Sequence, residues 1–113
     1  FQTKKQVIIS SQKNPNNNKY YNFPNIKWLY CVPNYPCKLE DVDFKEISSF
    51  NGYSNHCSEV IAPLSAAILG CEIIEVHTTI NKNENYFDNV VSFDFEQIKS
   101  LVEKIHQFEK IKK

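Results

Sequence analysis

The sequence predicts an α/β fold in which short parallel strands alternate with helices. Two observations carry this prediction: short apolar segments rich in β-branched and aromatic residues recur along the chain, and helical patterns separate the later ones. The 113 residues suit one small domain or part of a larger one, so residues 1–113 are treated as a single unit.

Four segments have the composition of buried strands. They are residues 7–10, 28–32, 51–54 and 71–77. Between the first two, residues 13–27 are rich in Asn and contain Pro15 and Pro24, which is typical of a loop rather than a helix.

Three further segments have helical spacing. Residues 39–50 suit a short helix, and residues 58–69 suit a second one that Gly70 would cap. The third helix is the clearest, because Asp94 and Gln97 form a capping-box pattern at its start. Its apolar stripe comprises Phe95, Ile98, Leu101, Val102, Ile105, Phe108 and Ile111.

The charge balance argues against a nucleic-acid partner. Thirteen Lys and no Arg stand against 13 acidic residues, so the chain lacks the basic surface that phosphate contacts require. No apolar run reaches the length of about 18 residues that a membrane span needs, and the N-terminus does not resemble a secretion signal. We therefore expect no membrane partner and a cytoplasmic location.

The four cysteines lack the spacing of a zinc ribbon. They are Cys31, Cys37, Cys57 and Cys71, and no CxxC pair occurs among them. Two disulfides are the alternative, but without a secretion signal we expect reduced, half-buried thiols.

Polar side chains gather where the predicted strands end. Ser10 closes the first strand, Tyr35 follows the second and His56 follows the third, while Glu75 and His77 end the fourth. Active sites of (β/α)8 barrels lie on this rim. A nucleotide-binding doubly wound sheet would instead need a Gly-rich loop after its first strand, and the chain has only two Gly. A nucleotide-binding unit is therefore disfavoured, and part of a barrel and a small open sheet are the two alternatives.

His56 and His77 are candidate metal ligands. Along an extended strand Glu75 and His77 share one face, where an acid and an imidazole are costly to bury without a function. Neighbouring strands lie about 4.8 Å apart, so both imidazoles could reach one divalent cation that acts as a Lewis acid. The alternative is that His77 is a hydrogen-bonded interior histidine and His56 a loop residue. His106, on the last helix, is expected at the surface.

Four short motifs add a resemblance to a known family. They are Cys-Val-Pro-Asn-Tyr-Pro at 31–36, Leu-Glu-Asp-Val at 39–42, Gly-Tyr-Ser-Asn-His at 52–56 and Ile-Glu-Val-His-Thr-Thr at 74–79. In this order and spacing they resemble the sialic acid (N-acetylneuraminate) synthase family. The resemblance implies half of a (β/α)8 TIM-type barrel, roughly strands five to eight with their helices, in which the Asn-rich loop 13–27 replaces one helix.

The resemblance also implies a reaction and the residues that serve it. These enzymes condense phosphoenolpyruvate with N-acetylmannosamine or a related hexose to give a nine-carbon sugar acid and phosphate. His56 and His77 would bind a divalent metal, manganese or magnesium, that polarises the sugar aldehyde. Glu75 would be catalytic, and Asp88 would bind the sugar. The implied phosphoenolpyruvate contacts are Ser10, Tyr35 and Ser54.

Several positions depart from the family pattern. Asn55 stands where the family has Asp, and Pro33 stands where it has Ser or Asn. The first half of the barrel, with its substrate-binding lysines and glutamates, has no counterpart in this sequence. We therefore expect the chain to need a second half-barrel, supplied by another copy or by a complementary chain. The alternative is a degenerate, non-catalytic half-barrel that serves as a binding or assembly module.

Overall fold

The computed structural model describes residues 4–81 and 89–113, which contain a four-stranded parallel sheet. The strands are β1 (Val7–Ser11), β2 (Ile26–Cys31), β3 (Gly52–Ser54) and β4 (Ile73–Glu75). They lie in chain order, and each neighbouring pair is parallel. The predicted α/β class with a parallel sheet is confirmed.

One face of the sheet carries the main core. Trp28 is in register with Ile9, and Tyr30 is in register with Tyr53, which in turn pairs with Ile74. The loops and the first helix pack against this face. The buried members of the core include Ile26, Trp28, Tyr30, Val32, Phe50, Tyr53, Ala62 and Ala66. Burial of these apolar side chains is the main term that stabilises the sheet.

The opposite face, or inner face, would line the interior of a closed barrel. Its residues form two rows across the sheet. The lower row is Ser10, Leu29, Gly52 and Ile73, and the upper row is Cys31, Ser54 and Glu75. Leu29 is buried, but Ile73 is only half-buried, and Ile8 is 53% exposed. This face is therefore partly open to solvent.

Gly52 marks a close approach between neighbouring strands. A Cβ atom at this position would collide with the carbonyl oxygen of Ile73 and lie 2.7 Å from Cδ2 of Leu29. The carbonyl belongs to the backbone of β4, so it cannot turn aside as a side chain would. The short strand predicted at 51–54 is thus possible because residue 52 has no side chain.

The last helix, α2 (Phe95–Lys112), begins where the capping box was predicted. Asp94 Oδ1 accepts a hydrogen bond from the backbone N–H of Gln97 at 2.9 Å, and Gln97 Oε1 accepts one from the N–H of Asp94 at 3.1 Å. The apolar stripe is only partly covered, because Leu101 is buried whereas Phe95 and Ile111 are exposed. His106 lies on this helix and is exposed, as predicted.

The other predicted helices are shorter or absent. The first helix, α1 (Ile61–Ile68), is shorter than the predicted 58–69. It is followed closely by Gly70, whose φ of 107° lies in the left-handed region that favours glycine. Residues 13–27 contain the short 3₁₀ turn Pro15–Asn17 and no α-helix, as the loop prediction required. The loop ends earlier than predicted, because β2 begins at Ile26 rather than at residue 28.

The prediction of a helix at 39–50 is wrong. The chain forms two 3₁₀ turns there, Leu39–Asp41 and Ile47–Ser49. The carboxylate of Asp41 accepts a hydrogen bond from the backbone N–H of Lys38. The carboxylate of Asp43 does the same for Lys45. The Asp41 bond caps the start of the first turn. The N–H of Asp43 donates to the Tyr30 hydroxyl at 3.1 Å, so it is not available to a carbonyl of a continuous helix, and the Asp43–Lys45 bond competes with helical pairing as well.

The fourth strand is also shorter than the predicted 71–77. Beyond Glu75 the chain leaves β3 and turns toward residue 93. The carbonyl of His77 accepts from the N–H of Phe93 at 2.8 Å, and the N–H of Thr79 donates to the carbonyl of Phe93 at 3.0 Å. Across 4–81 and 89–113, neither helix has the length and apolar character to cross a membrane.

Candidate active site

His56 and His77 lie side by side beyond the carboxyl ends of β3 and β4. Their ring centroids are 5.7 Å apart. His56 follows β3 by two residues and is 7% exposed, while His77 follows β4 by two residues and is half-buried. The structure therefore brings the two predicted imidazoles together. Their role as metal ligands stays a prediction.

The hydrogen bonds of His56 show which ring nitrogen carries the proton and which carries the lone pair. Nδ1 lies 2.6 Å from the carbonyl oxygen of Val32. A carbonyl can only accept, so in the neutral imidazole Nδ1 carries the proton and Nε2 carries the lone pair. Metal-binding histidines usually donate their other N–H to a carbonyl or carboxylate in this way. His56 thus has the tautomer that a metal ligand bound through Nε2 requires.

Tyr35 covers this pair of imidazoles. Its hydroxyl lies 2.9 Å from Nε2 of His56 and donates to it, given the tautomer above. Its ring centroid is 4.2 Å from that of His56 and 6.1 Å from that of His77. The sequence placed Tyr35 at the site but did not indicate its bond to His56, which joins the ends of two neighbouring strands.

Ser54 and Glu75 form a second pair in the upper row of the inner face. They are partners in the β3–β4 register, and Ser54 Oγ donates to Glu75 Oε1 at 2.5 Å. Ser54 is buried, whereas Glu75 is exposed. A hydroxyl has one proton to donate, and here it is donated in the hydrogen bond to the carboxylate. Ser54 must therefore turn away from Glu75 before its hydroxyl can donate to a phosphate.

Cys31 belongs to the same row, although it is not among the site residues predicted from the sequence. Cys31 is in register with Ser54, and its sulfur lies 3.9 Å from Nδ1 of His56. Burial raises the pKa of the Cys31 thiol, and the negative charge of Glu75 raises it further. Cys31 therefore stays protonated at neutral pH. The sequence signal that could have identified Cys31 is the alternation of side chains along the predicted strand 28–32, which places it on the same face as Ser54 of the third strand.

All four cysteines lie among the described residues and carry free thiols. Cys31 and Cys71 are half-buried, as expected from the sequence, whereas Cys37 and Cys57 are buried, so the expectation of half-burial is wrong for them.

Asn55 shapes the turn that delivers His56. Its Oδ1 accepts from the hydroxyl of Tyr53 at 3.1 Å and from the N–H of Cys57 at 3.2 Å. Its Nδ2 donates to the carbonyl of Cys57 at 2.7 Å. An Asp side chain has no donor for that carbonyl when ionised. The Asn that stands here in place of the family's Asp therefore provides the donor that the Cys57 carbonyl accepts from.

One of the predicted site residues, Ser10, lies apart from this group. Ser10 is on the same face of the sheet but in the lower row, level with Leu29 and Gly52 rather than with Ser54 and Glu75. Asp88 lies outside the described residues. The structure thus brings together His56, His77, Tyr35, Ser54 and Glu75 at the ends of β2 to β4.

The donor set fits an open divalent-metal site. In the described parts of the chain, no group of three or more His, Cys, Asp or Glu side chains converges on one point. Two imidazoles would leave the remaining coordination positions to water and substrate oxygens, which is the arrangement that Lewis-acid catalysis requires.

Comparison with known proteins decides the family. The sequence profile of the NeuB family matches residues 2–113. The chain belongs to the NeuB family. The resemblance seen in the four motifs is thereby confirmed.

Two curated relatives of this NeuB-family chain are sugar-acid synthases. The pseudaminic acid synthase of Campylobacter jejuni is 34% identical over 93 residues, which cover 76% of this chain and 27% of that protein. The N,N'-diacetyllegionaminic acid synthase of Legionella pneumophila is 32% identical over 90 residues, which cover 74% and 25%. The chain thus spans about a quarter of the length of these relatives.

A solved structure supports the same assignment. The N-acetylneuraminic acid (sialic acid) synthetase of Leptospira borgpetersenii, in complex with citrate, superposes with a TM-score of 0.71 at 29% identity. The match covers 77% of this chain and 33% of the synthetase. The parallel sheet of this NeuB-family chain therefore corresponds to part of a synthase fold.

Proposed function

We propose that this chain forms the metal-binding part of a nonulosonate synthase. The complete enzyme condenses phosphoenolpyruvate with N-acetylmannosamine or a related N-acylated hexose and releases phosphate. The observation that carries the proposal is the His56–His77 pair, with Nε2 of His56 as its lone-pair nitrogen, at the carboxyl edge of a parallel sheet. Family membership and the names of the relatives support the reaction class.

In this proposal the chain supplies strands five to eight of a (β/α)8 barrel, with its site on the rim where such barrels carry out their chemistry. His56 and His77 would hold a divalent cation, manganese or magnesium. When bound, the cation polarises the aldehyde oxygen of the open-chain sugar. Phosphoenolpyruvate C3 attacks the aldehyde carbon, water adds at C2, and phosphate leaves.

The other site residues bind and orient the substrates. Glu75 keeps lone pairs beyond the one that Ser54 uses, so it can accept from a sugar hydroxyl or from the attacking water. Asp88 is proposed to bind the sugar. The proposed phosphoenolpyruvate contacts are Ser10, Tyr35 and Ser54. The Ser54 hydroxyl would exchange Glu75 for the substrate when phosphoenolpyruvate enters.

The open inner face supports a requirement for a second half-barrel. Ile8 and Ser10 are exposed on this face, and Ile73 is half-buried. Four strands supply half of the eight that close such a barrel, and closure would bury this surface. A second copy or a complementary chain would provide the missing strands, and a complementary first-half chain would also provide the lysines that neutralise the substrate phosphate.

A reconstitution experiment tests this function. The chain is combined with the first-half segment of a NeuB-family relative, and phosphate release from phosphoenolpyruvate is measured with N-acetylmannosamine and related hexoses. We expect release that depends on both halves and on Mn²⁺, and that His77→Ala abolishes. His106→Ala, on the exposed face of α2, is the matched control and should leave the rate unchanged.

The competing function is a non-catalytic binding or assembly module. Pro33 favours it, because this residue provides neither a side-chain donor nor a backbone N–H near the strand ends. A stable complex of the two halves that releases no phosphate with any hexose would contradict catalysis and support the module.

A further inference from the structure

We propose that Tyr35 is a gate on the metal position of His56. In the metal-free protein the Tyr35 hydroxyl occupies the lone pair of His56 Nε2, and it must leave before a cation can bind there. This inference rests on the proposed metal role of His56 and His77, and it adds a residue that controls access to that site.

The geometry makes the two states of His56 mutually exclusive. A neutral imidazole has one nitrogen lone pair, and the proton on Nδ1 is committed to the carbonyl of Val32. Nε2 is therefore the one ligand atom that His56 can offer. The Tyr35 hydroxyl already lies 2.9 Å from it. A bound cation would need the same lone pair, at about 2.0–2.1 Å in the case of zinc, so the hydroxyl and the metal cannot share it.

Tyr35 is the partner that is able to move. Tyr35 is 44% exposed, whereas His56 is 7% exposed. The backbone of His56 is anchored as well, because its carbonyl accepts from the N–H of Cys37 at 3.0 Å and Asn55 braces the turn 55–57 that contains it. A small rotation of the Tyr35 side chain would release Nε2 without disturbing the bonds that hold the His56 backbone.

The released hydroxyl would remain near the site. The Tyr35 ring lies 6.1 Å from that of His77, so a small rotation keeps its hydroxyl within reach of a ligand between the two imidazoles. Metal binding would in this way make the Tyr35 hydroxyl available to substrate. The gate thus predicts that the cation binds before phosphoenolpyruvate engages Tyr35.

The test compares two Tyr→Phe variants of the full chain. Tyr35→Phe removes the competing hydroxyl and keeps the ring. Tyr21→Phe is the matched control, because its hydroxyl donates to the carbonyl of Ser49 at 2.9 Å on the other face of the sheet. In calorimetric titrations with Mn²⁺, we expect Tyr35→Phe to bind about threefold to tenfold more tightly than the wild type, the effect of one competing hydrogen bond. Tyr21→Phe should match the wild type.

A second measurement examines the metal-free protein directly. Long-range ¹H–¹⁵N spectra report which histidine nitrogen carries the proton. For wild-type His56 we expect a protonated Nδ1 and a hydrogen-bonded, unprotonated Nε2, whose shift changes in Tyr35→Phe and not in Tyr21→Phe. This measurement needs no metal, and the spectrum of the wild type alone tests the predicted tautomer of His56.

The outcomes separate the gate from the metal proposal. If the wild type and Tyr35→Phe bind Mn²⁺ with equal affinity, the gate is wrong and the metal site stands. If neither protein binds Mn²⁺, both proposals fail. Binding by Tyr35→Phe alone would be the strongest support for the gate. A wild-type His56 whose proton resides on Nε2 would overturn the gate whatever the titrations show.

Discussion

Replacement of Asn55 by Ala should destabilise the fold and weaken the proposed metal site together. The substitution deletes three hydrogen bonds: two that Asn55 Oδ1 accepts and one that Nδ2 donates. The groups left behind belong to Tyr53 and Cys57, which are almost fully buried, so water cannot replace the lost partner. At about 1 kcal/mol for each bond, the expected loss in the free energy of unfolding is about 3 kcal/mol.

Asn14→Ala is the control that separates burial from the number of hydrogen bonds. The Asn14 side chain also makes three bonds, to Glu46, Ser49 and the N–H of Asn16. They lie at exposed or partly buried positions where water can substitute, so this change should cost less than about 1 kcal/mol. Urea unfolding of both variants measures the difference.

The same variants test the link between the turn and the site. Asn55→Ala should weaken Mn²⁺ binding because the turn that holds His56 loses its brace, whereas Asn14→Ala should leave binding unchanged. Equal stability losses in the two variants, or an Asn55→Ala protein as stable as the wild type, would refute the assignment of Asn55 as a buried structural brace.

Three further predictions follow from the described residues. Gly52→Ala should lower the free energy of unfolding by at least about 1–3 kcal/mol in a urea titration, because the new Cβ meets the Ile73 carbonyl; a neutral result would contradict the close approach. Burial raises the pKa of Cys37 from 9.0 to about 12 and that of Cys71 from 9.0 to about 11. The unfolded chain therefore loses these protons first, and stability should fall as pH rises from about 9 toward 11–12; thermal melts that do not change over this range would argue against buried thiols. Light scattering should show a species larger than 13.2 kDa at micromolar concentration, since the inner face is open, and a monomer at all concentrations would contradict this.

Local interactions explain why some elements were predictable from the sequence. The start of α2 depends on Asp94 and Gln97, which are three residues apart and bond to each other's backbone. The Asn-rich composition of 13–27 disfavours a helix whatever surrounds it. His56 and His77 could be placed at the carboxyl ends of strands because short apolar runs in the sequence mark the strands that precede them.

Tertiary structure decided the features that depend on contacts between distant residues. The helix expected at 39–50 gave way to two turns, where the N–H of Asp43 donates to the Tyr30 hydroxyl and Phe44 packs against the rings of Tyr30 and Tyr53. The bond from Tyr35 to His56 joins residues 21 positions apart, and it depends on how β2 and β3 are aligned. The number of residues between two positions in the sequence does not show how the two strands are aligned. The sequence by itself therefore determined which side chains reach the edge of the sheet, and the strand register determined which of them bond to one another.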